Sequence, residues 1–187
     1  MKFLITFMLF SNLILPSIIP GIDTATVSYI RKIFYEGVEN EDKAKELNKI
    51  ISKNYKENVI NSNYFLLGYL GASETLLAKH SGNPFTKIDY LQSGLAKIAS
   101  ALVLAPNSLE IRFMRFSILH HLPFFLGYGT EREEDQKVIY DLLLKKNYSE
   151  LSKSVQKGIV EFMIESDRLN KNQVAQLKSL HAELAKL

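Results

Sequence analysis

The sequence predicts an all-α protein built from stacked antiparallel helical hairpins, with about eight helices. Two observations predict this class. Aromatic and β-branched residues form no run of strict alternation, and no Asn-Gly or Asp-Gly hairpin signal occurs. Clusters of Gly, Pro, Asn and Ser recur at regular intervals and divide the chain into stretches of similar length. Helices of similar length joined by short turns favour antiparallel packing side by side.

Turn signals divide the chain after residue 21 into its predicted helices. The predicted segments are 26–37, 41–55, 62–80, 84–104, 108–122, 131–145, 151–167 and 173–187. The clusters that separate them are 37–40, 61–63, 81–84, 106–108, 127–130, 146–149 and 170–172. Start signals agree with these boundaries: Pro84 suits a first helical turn, Asn107 or Ser108 can cap with Glu110 behind it, and Thr130 precedes an acidic first turn.

Two of the predicted helices, 62–80 and 108–122, are apolar almost all round and are therefore expected to be central. The first of them carries a face of small residues that lets another backbone come close, formed by Gly68, Gly71, Ala72 and Thr75. The predicted core contains Leu67, Leu91, Ile98, Phe113, Phe116, Ile118, Ile159 and Phe162.

The N-terminus has the plan of a secretory signal peptide. Lys2 precedes an apolar stretch at 3–15, and Pro16 and Pro20 then break any helix. The stretch is shorter than the ~20 residues that span a bilayer. We expect residues 1–21 to be removed, which leaves 22–187 as a single helical-repeat domain in the periplasm or cell envelope of a bacterium. Thr24-Ala25 is an alternative cleavage position.

Two other interpretations of this N-terminal segment remain open. It could be a buried first helix of a cytoplasmic protein, or an uncleaved anchor that provides the chain's contact with a membrane. The chain has no Cys, which is compatible with a bacterial envelope protein and excludes disulfide scaffolds, Cys zinc sites and thiol nucleophiles. The formal net charge of +3 is small and evenly spread, and it predicts no nucleic-acid partner.

The hairpin formed by 62–80 and 84–104 resembles a tetratricopeptide unit. The positions that carry the resemblance are Tyr64, Leu67 and Gly68 in the first helix and Gly94, Ile98 and Ala101 in the second, counted back from Pro106. An insertion around 78–84 departs from the period of about 34 residues that marks such repeats. The resemblance implies an α-α superhelix.

Residues 83–128 also resemble part of an uncharacterised group of exported helical-repeat proteins from Bacteroidetes-like bacteria. The matching stretches are Asn83-Pro84-Phe85, Leu104-Ala105-Pro106-Asn107, 109–116 and 122–128. They cover about a quarter of the chain. This second resemblance implies no activity.

Arg112 and Arg115 are candidate site residues because they lie one turn apart on a helix that is apolar on both broad faces. A buried unpaired charge costs several kcal/mol, so at least one of them should meet a carboxylate. By register the candidates are Glu74, Glu161 and, less directly, Asp89. One interpretation is a structural ion-pair network. The other is an anion or carboxylate pocket built from a bidentate arginine pair, as in recognition of a peptide C-terminus.

The turn at 123–128 is a second candidate because it is rich in apolar and aromatic side chains, namely Pro123, Phe124, Phe125 and Tyr128. It could plug the end of the core or present an apolar surface to a ligand or partner. The acidic run at 131–135 that follows is interpreted as a solvated helix cap that complements the helix dipole.

No catalytic, cofactor-binding or metal-ligating residue is predicted. His120 and His121 point about 100° apart on a helix, so they do not chelate one ion as residues four apart do. We expect His120 to pack on Phe116 and His121 to be exposed. The usual nucleotide and nucleophile-elbow motifs are absent from the sequence.

The leading hypothesis is a non-enzymatic exported interaction module that binds a protein or peptide and uses no cofactor. The alternative is a small-molecule or anion-binding protein, or an enzyme. Its pocket would lie at Arg112, Arg115 and the 123–128 turn.

Export is tested on protein isolated from its native host. Because Lys2, the apolar stretch and Pro16 match a cleavable signal, mass spectrometry is expected to find a chain that begins near residue 22 in the envelope fraction. An intact Met1 in a cytoplasmic fraction would contradict this prediction.

Overall fold

The expected all-α fold is confirmed. A computed structural model describes residues 19, 21–148 and 151–186, so the predicted signal peptide lies almost entirely outside the described residues. Within the described residues the chain forms nine α-helices and one 3₁₀ turn, and no strand. None of these helices is both long enough and apolar enough to cross a membrane.

The helices follow one another with short connections. Their bounds are α1 Thr24–Gly37, α2 Glu41–Asn54, α3 Glu57–Ser62, α4 Tyr64–His80, α5 Pro84–Leu104, α6 Leu109–His120, α7 Gly129–Leu144, α8 Lys153–Glu165 and α9 Lys171–Lys186, with the 3₁₀ turn at Phe124–Leu126. The short α3 separates from α2 because Tyr55 and Lys56 adopt extended backbone.

Side-chain caps explain most of the helix starts. The Oδ1 atoms of Asn40, Asn63 and Asn83 each accept two backbone N–H groups at the starts of α2, α4 and α5. Ser108 caps α6 as the sequence predicts. The predicted helix start at Glu131, just after Thr130, is two residues late, because α7 begins at Gly129.

Helices that are neighbours in sequence pack against each other as hairpins, and the hairpins stack. The turns that follow α1, α4, α6 and α8 lie at one end of this stack. There His80 Nε2 donates to Gly37 O at 2.9 Å, and Arg168 Nε donates to His120 Nδ1 at 3.0 Å. We call this end of the molecule the turn end.

Two apolar cores meet at α6. The first core joins α1 to α6 and takes Ile111 and Met114 from α6. The second core joins α6 to α9 and takes Leu109 and Phe116 from the same helix. Ile19 is also buried in the first core, so cleavage after Gly21 would remove one of its side chains.

The predicted core residues divide into two groups. Leu67, Ile98, Phe116 and Ile159 are buried, whereas Leu91, Phe113, Ile118 and Phe162 are only partly buried. Phe113 and Phe162 meet edge to face with ring centroids 5.3 Å apart, at the margin of the second core. Ile118, Phe113 and Phe162 pack against the cores from their margins, whereas Leu91 belongs to neither core. Helical spacing identifies an apolar face without giving the depth of each position.

The closest helix contact lies between α4 and α5, where the predicted small-residue face is confirmed. A Cβ atom on Gly71 would stand 2.5 Å from the carbonyl oxygen of Gly94, and a Cβ on Gly94 would stand equally close to the carbonyl oxygen of Gly71. These two backbones therefore meet only because neither residue has a side chain.

Two glycine substitutions should have opposite effects on stability. Gly94→Ala is expected to lower the free energy of unfolding by roughly 1–3 kcal/mol, because the added methyl group overlaps backbone. Gly158→Ala in α8 is the matched control: its Cβ would meet no atom within 4 Å. Higher helix propensity should make that variant more stable by ~0.5–1 kcal/mol. Chemical denaturation measures both, and an equal effect of the two substitutions would contradict the described α4–α5 contact.

Candidate functional site

Arg112 and Arg115 bind carboxylates of α7. Arg115 donates from Nε to Asp135 Oδ2 at 2.6 Å and from Nη2 to Asp135 Oδ1 at 2.8 Å. Arg112 Nη1 donates to the same Oδ1 at 2.8 Å and to Glu134 Oε1 at 2.9 Å. Its Nε donates to the carbonyl oxygen of Pro106 at 2.8 Å. The structural interpretation of an ion-pair network therefore agrees with the geometry.

The network is desolvated at its centre. Asp135 is fully buried and both arginines are buried, whereas Glu134 is exposed at the edge. Burial alone would lower the pKa of the Arg115 guanidinium, but the hydrogen bonds and the charge of Asp135 outweigh it, and the pKa is raised. Hydrogen bonding from Arg112 lowers the pKa of Glu134. Both effects favour the charged forms.

The carboxylate partners proposed from register were wrong. Glu74 accepts from Lys97 at 2.8 Å, and Glu161 pairs with His181 at 2.7 Å. Asp89 is exposed on α5.

The interpretation of residues 131–135 as a wholly solvated cap was wrong for Asp135. That residue lies two turns into α7, on the buried face with Ile139 and Leu142. Its spacing of four and seven from these apolar residues was the signal that sequence reasoning missed.

The 123–128 turn does not plug the core. Phe124 and Phe125 are 87% and 82% exposed, and Pro123 is exposed as well. The 3₁₀ turn ends at Gly127, whose φ of +82° lies in the left-handed region that favours glycine. The turn therefore presents two aromatic rings to solvent at the turn end.

A cleft lies between α5, α6 and the start of α7, and it brings together two of the predicted site residues. Arg115 and Tyr128 line a cavity of about 230 Å³. The other lining residues are Gln92, Leu95, Ala96, Ala99, Leu119 and Glu131. Arg112, Pro123, Phe124 and Phe125 do not line this cavity. We call it the α5 cleft.

One face of α5 is apolar and exposed at both of its ends, with the buried Leu95 between them, and sequence reasoning missed it. Phe85 and Val103 are 80% and 82% exposed, and Ile88 is exposed between them. Leu95 and Ala99 continue the same face at helical spacing and form part of the α5 cleft. We call these five residues the α5 stripe. The sequence signal for this face was the spacing of the five residues, which follow one another at intervals of three, seven, four and four positions.

Metal binding and a polar binding pocket have little support within residues 19, 21–148 and 151–186. No group of three or more potential metal ligands occurs there. His120 packs on Phe116 with ring centroids 6.1 Å apart, and His121 is exposed, as expected. A larger cleft of about 630 Å³ beside α2 is polar, and its charged residues Glu41 and Lys45 pair with each other at 2.8 Å.

Comparisons with known proteins add no relative. The chain matches no protein-family profile, and searches of curated proteins and of solved structures found no match.

A double-mutant cycle tests whether Arg115 and Asp135 act as a structural pair. Asp135→Asn is expected to cost roughly 3–5 kcal/mol of unfolding free energy, because it leaves buried guanidinium groups without their shared partner. The loss caused by Arg115→Met should shrink when Asp135→Asn is also present, with a coupling of ~1 kcal/mol or more. Additive effects in denaturant unfolding would contradict the described network.

Proposed function

We propose that the protein is a non-enzymatic interaction module that binds an amphipathic helical segment of a partner along the α5 stripe. The observation that carries this proposal is the apolar face of α5, on which Phe85, Ile88 and Val103 are exposed on either side of the buried Leu95. A contiguous exposed apolar patch on a protein surface often marks a binding site. Export to the cell envelope remains part of the proposal on the strength of residues 1–21.

The shape of the α5 cleft supports a helix as the occupant. Ala96 and Ala99 are small, so the floor of the cleft is low, and Tyr128 and Leu119 form part of the opposite wall. A helix laid in such a groove makes apolar contacts at every third or fourth residue, which is the spacing of the α5 stripe itself. The resemblance of the α4–α5 hairpin to a tetratricopeptide unit points the same way, because stacked hairpins form extended binding surfaces.

The polar wall of the cleft specifies one further property of the partner. Glu131 Oε2 is buried and has no hydrogen-bond partner among the described residues. An unsatisfied buried acceptor costs free energy, and a donor on the bound segment would remove that cost. The expected partner segment therefore combines an apolar face with a Lys, Arg or other donor directed at Glu131.

The alternative of an anion pocket at Arg112 and Arg115 has weaker support. Arg115 does line the α5 cleft, but Nε and Nη2 of its guanidinium donate to Asp135 and Glu134. An anion would have to compete with a fully buried carboxylate for these donors. The geometry thus favours the interaction module over the anion pocket.

Selection from a library of random linear peptides tests the proposed groove. The selected peptides should carry apolar residues at helical spacing, and Ala99→Glu should weaken their binding at least tenfold, by ~1.4 kcal/mol or more, because the new carboxylate blocks the floor. Ser100→Glu is the matched control, since it adds the same charge one residue further on, on a different face of α5. Fluorescence anisotropy with a selected peptide gives the affinities.

Two outcomes would contradict this proposal. Peptides that bind Ala99→Glu as well as the unchanged protein would show that they do not occupy the cleft. Equal weakening by Ser100→Glu would show that only the added charge matters. Circular dichroism melting of both variants establishes that each remains folded.

A further inference from the structure

Two of the protein's five arginines differ from the other three because they have no carboxylate partner among the described residues. Arg31 binds Glu110 through two hydrogen bonds of 2.7 and 2.8 Å, and Arg112 and Arg115 bind Asp135 as described above. Within the part of the chain that the structure describes, neither Arg132 nor Arg168 forms an ion pair. These two exceptions are neighbours in space.

Three elements bring the two arginines together at the turn end. Arg132 lies in the first turn of α7, and Arg168 lies in the connection between α8 and α9. Arg168 Nε donates to Nδ1 of His120, the last residue of α6, at 3.0 Å. Gln136 Nε2 donates to the carbonyl oxygen of Arg168 at 2.7 Å and so holds this connection against α7.

The cluster has unused hydrogen-bonding capacity. Arg132 Nε is buried and has no partner among the described residues. The bond from Arg168 goes to a neutral imidazole nitrogen, which leaves the positive charge of the guanidinium uncompensated. Buried donors of charged groups normally find acceptors, so an acceptor placed at this position would be favourable.

Electrostatic effects at the cluster agree with an excess of positive charge. Burial and then the charge of Arg132 lower the pKa of Arg168, against an opposing effect of Glu133. Burial and the charges of His121, Arg168 and Arg132 lower the pKa of His120, against an opposing effect of Asp167.

The other charged groups near these side chains do not remove that excess. Glu133 and Asp167 act from beyond ion-pair distance, and neither forms a salt bridge with either arginine. Lys79 on α4 adds positive charge on the side of His121.

We propose that Arg132, Arg168 and His120 form a binding site for a phosphate-type oxyanion, a site separate from the α5 cleft. A tetrahedral dianion can accept hydrogen bonds from several directions, which suits donors that arrive from three different elements. Its charge would offset the two guanidinium groups through charge-assisted bonds. The start of α7 adds a favourable helix dipole at the same place.

Two sources could supply this phosphate-type group. One is a soluble phosphorylated or sulfated molecule. The other is the headgroup of an anionic phospholipid, in which case the exposed rings of Phe124 and Phe125, in the turn just before α7, would insert among the lipid chains. The shared chemistry is the oxyanion, and the experiment separates the sources.

The first arm follows the His120 imidazole by NMR in the full chain, with sodium sulfate as the probe and sodium chloride of equal ionic strength as the reference. Bound sulfate should raise the pKa of His120, because it offsets the positive charges that lower it. His181, which pairs with Glu161, is the internal control and should not respond. No difference between sulfate and chloride at His120 would overturn binding of a free oxyanion.

Arginine variants test the assignment to these residues. Arg132→Gln and Arg168→Gln should each raise the pKa of His120 without sulfate, because each removes a neighbouring positive charge. Each should also weaken sulfate binding on the order of tenfold. Lys178→Gln, an exposed charge removed from α9, is the matched control and should change neither property. A sulfate response that persists in both arginine variants would overturn the proposed site.

The second arm uses flotation with phosphatidylcholine vesicles that contain phosphatidylglycerol. Binding that is lost in Arg132→Gln and weakened by Phe124→Ser with Phe125→Ser identifies a lipid headgroup as the source. A sulfate response without vesicle binding identifies a soluble ligand. Absence of both responses overturns the proposed oxyanion site. It does not affect the proposal for the α5 cleft, because the peptide experiment tests that groove separately.

Discussion

The fully buried carboxylate of Asp135 fixes the position of α7 and therefore of both surfaces at the start of that helix. Helix α6 contributes side chains to both apolar cores, and it carries Arg112 and Arg115 into the same buried position. Buried guanidinium groups need a partner that is held in place and close, since a charge left alone there is strongly destabilising. Asp135 accepts hydrogen bonds from both arginines and thereby joins α7 to α6.

This attachment of α7 determines what the start of that helix can do. Glu131 faces the α5 cleft, and Arg132 lies about 100° further round the helix, as adjacent helical residues do. It therefore reaches the neighbourhood of Arg168 and His120, on the side of α8. The α5 cleft and the cluster of Arg132, Arg168 and His120 thus both include the start of α7, but they use different side chains of that helix. The 3₁₀ turn just before α7 ends at Gly127 and leaves Phe124 and Phe125 exposed.

The contact between Gly71 and Gly94 fixes which face of α5 packs against α4. Because the two backbones touch, the face of α5 that contains Gly94, Ile98 and Ala101 is committed to α4. Phe85, Ile88 and Val103 then lie outside the first core and remain exposed, whereas Leu95 between them is buried next to α6. An apolar face of this kind remains available for a partner, which is the physical basis for the proposed interaction module.

The helical class could be predicted from the sequence alone, as could the number of long helices, most of their boundaries and the small-residue face of α4. These depend on local spacing, on caps such as Asn63 and on the absence of side chains at Gly71 and Gly94. The sequence also indicated that at least one of Arg112 and Arg115 would meet a carboxylate. The packing of the helices was needed to show that this carboxylate is Asp135, that Phe124 and Phe125 are exposed, and that Arg132 lies near Arg168. The reason is physical: periodicity shows which side chains share a face of one helix, whereas pairing depends on which faces of different helices meet, and that is settled by the packing of the whole chain.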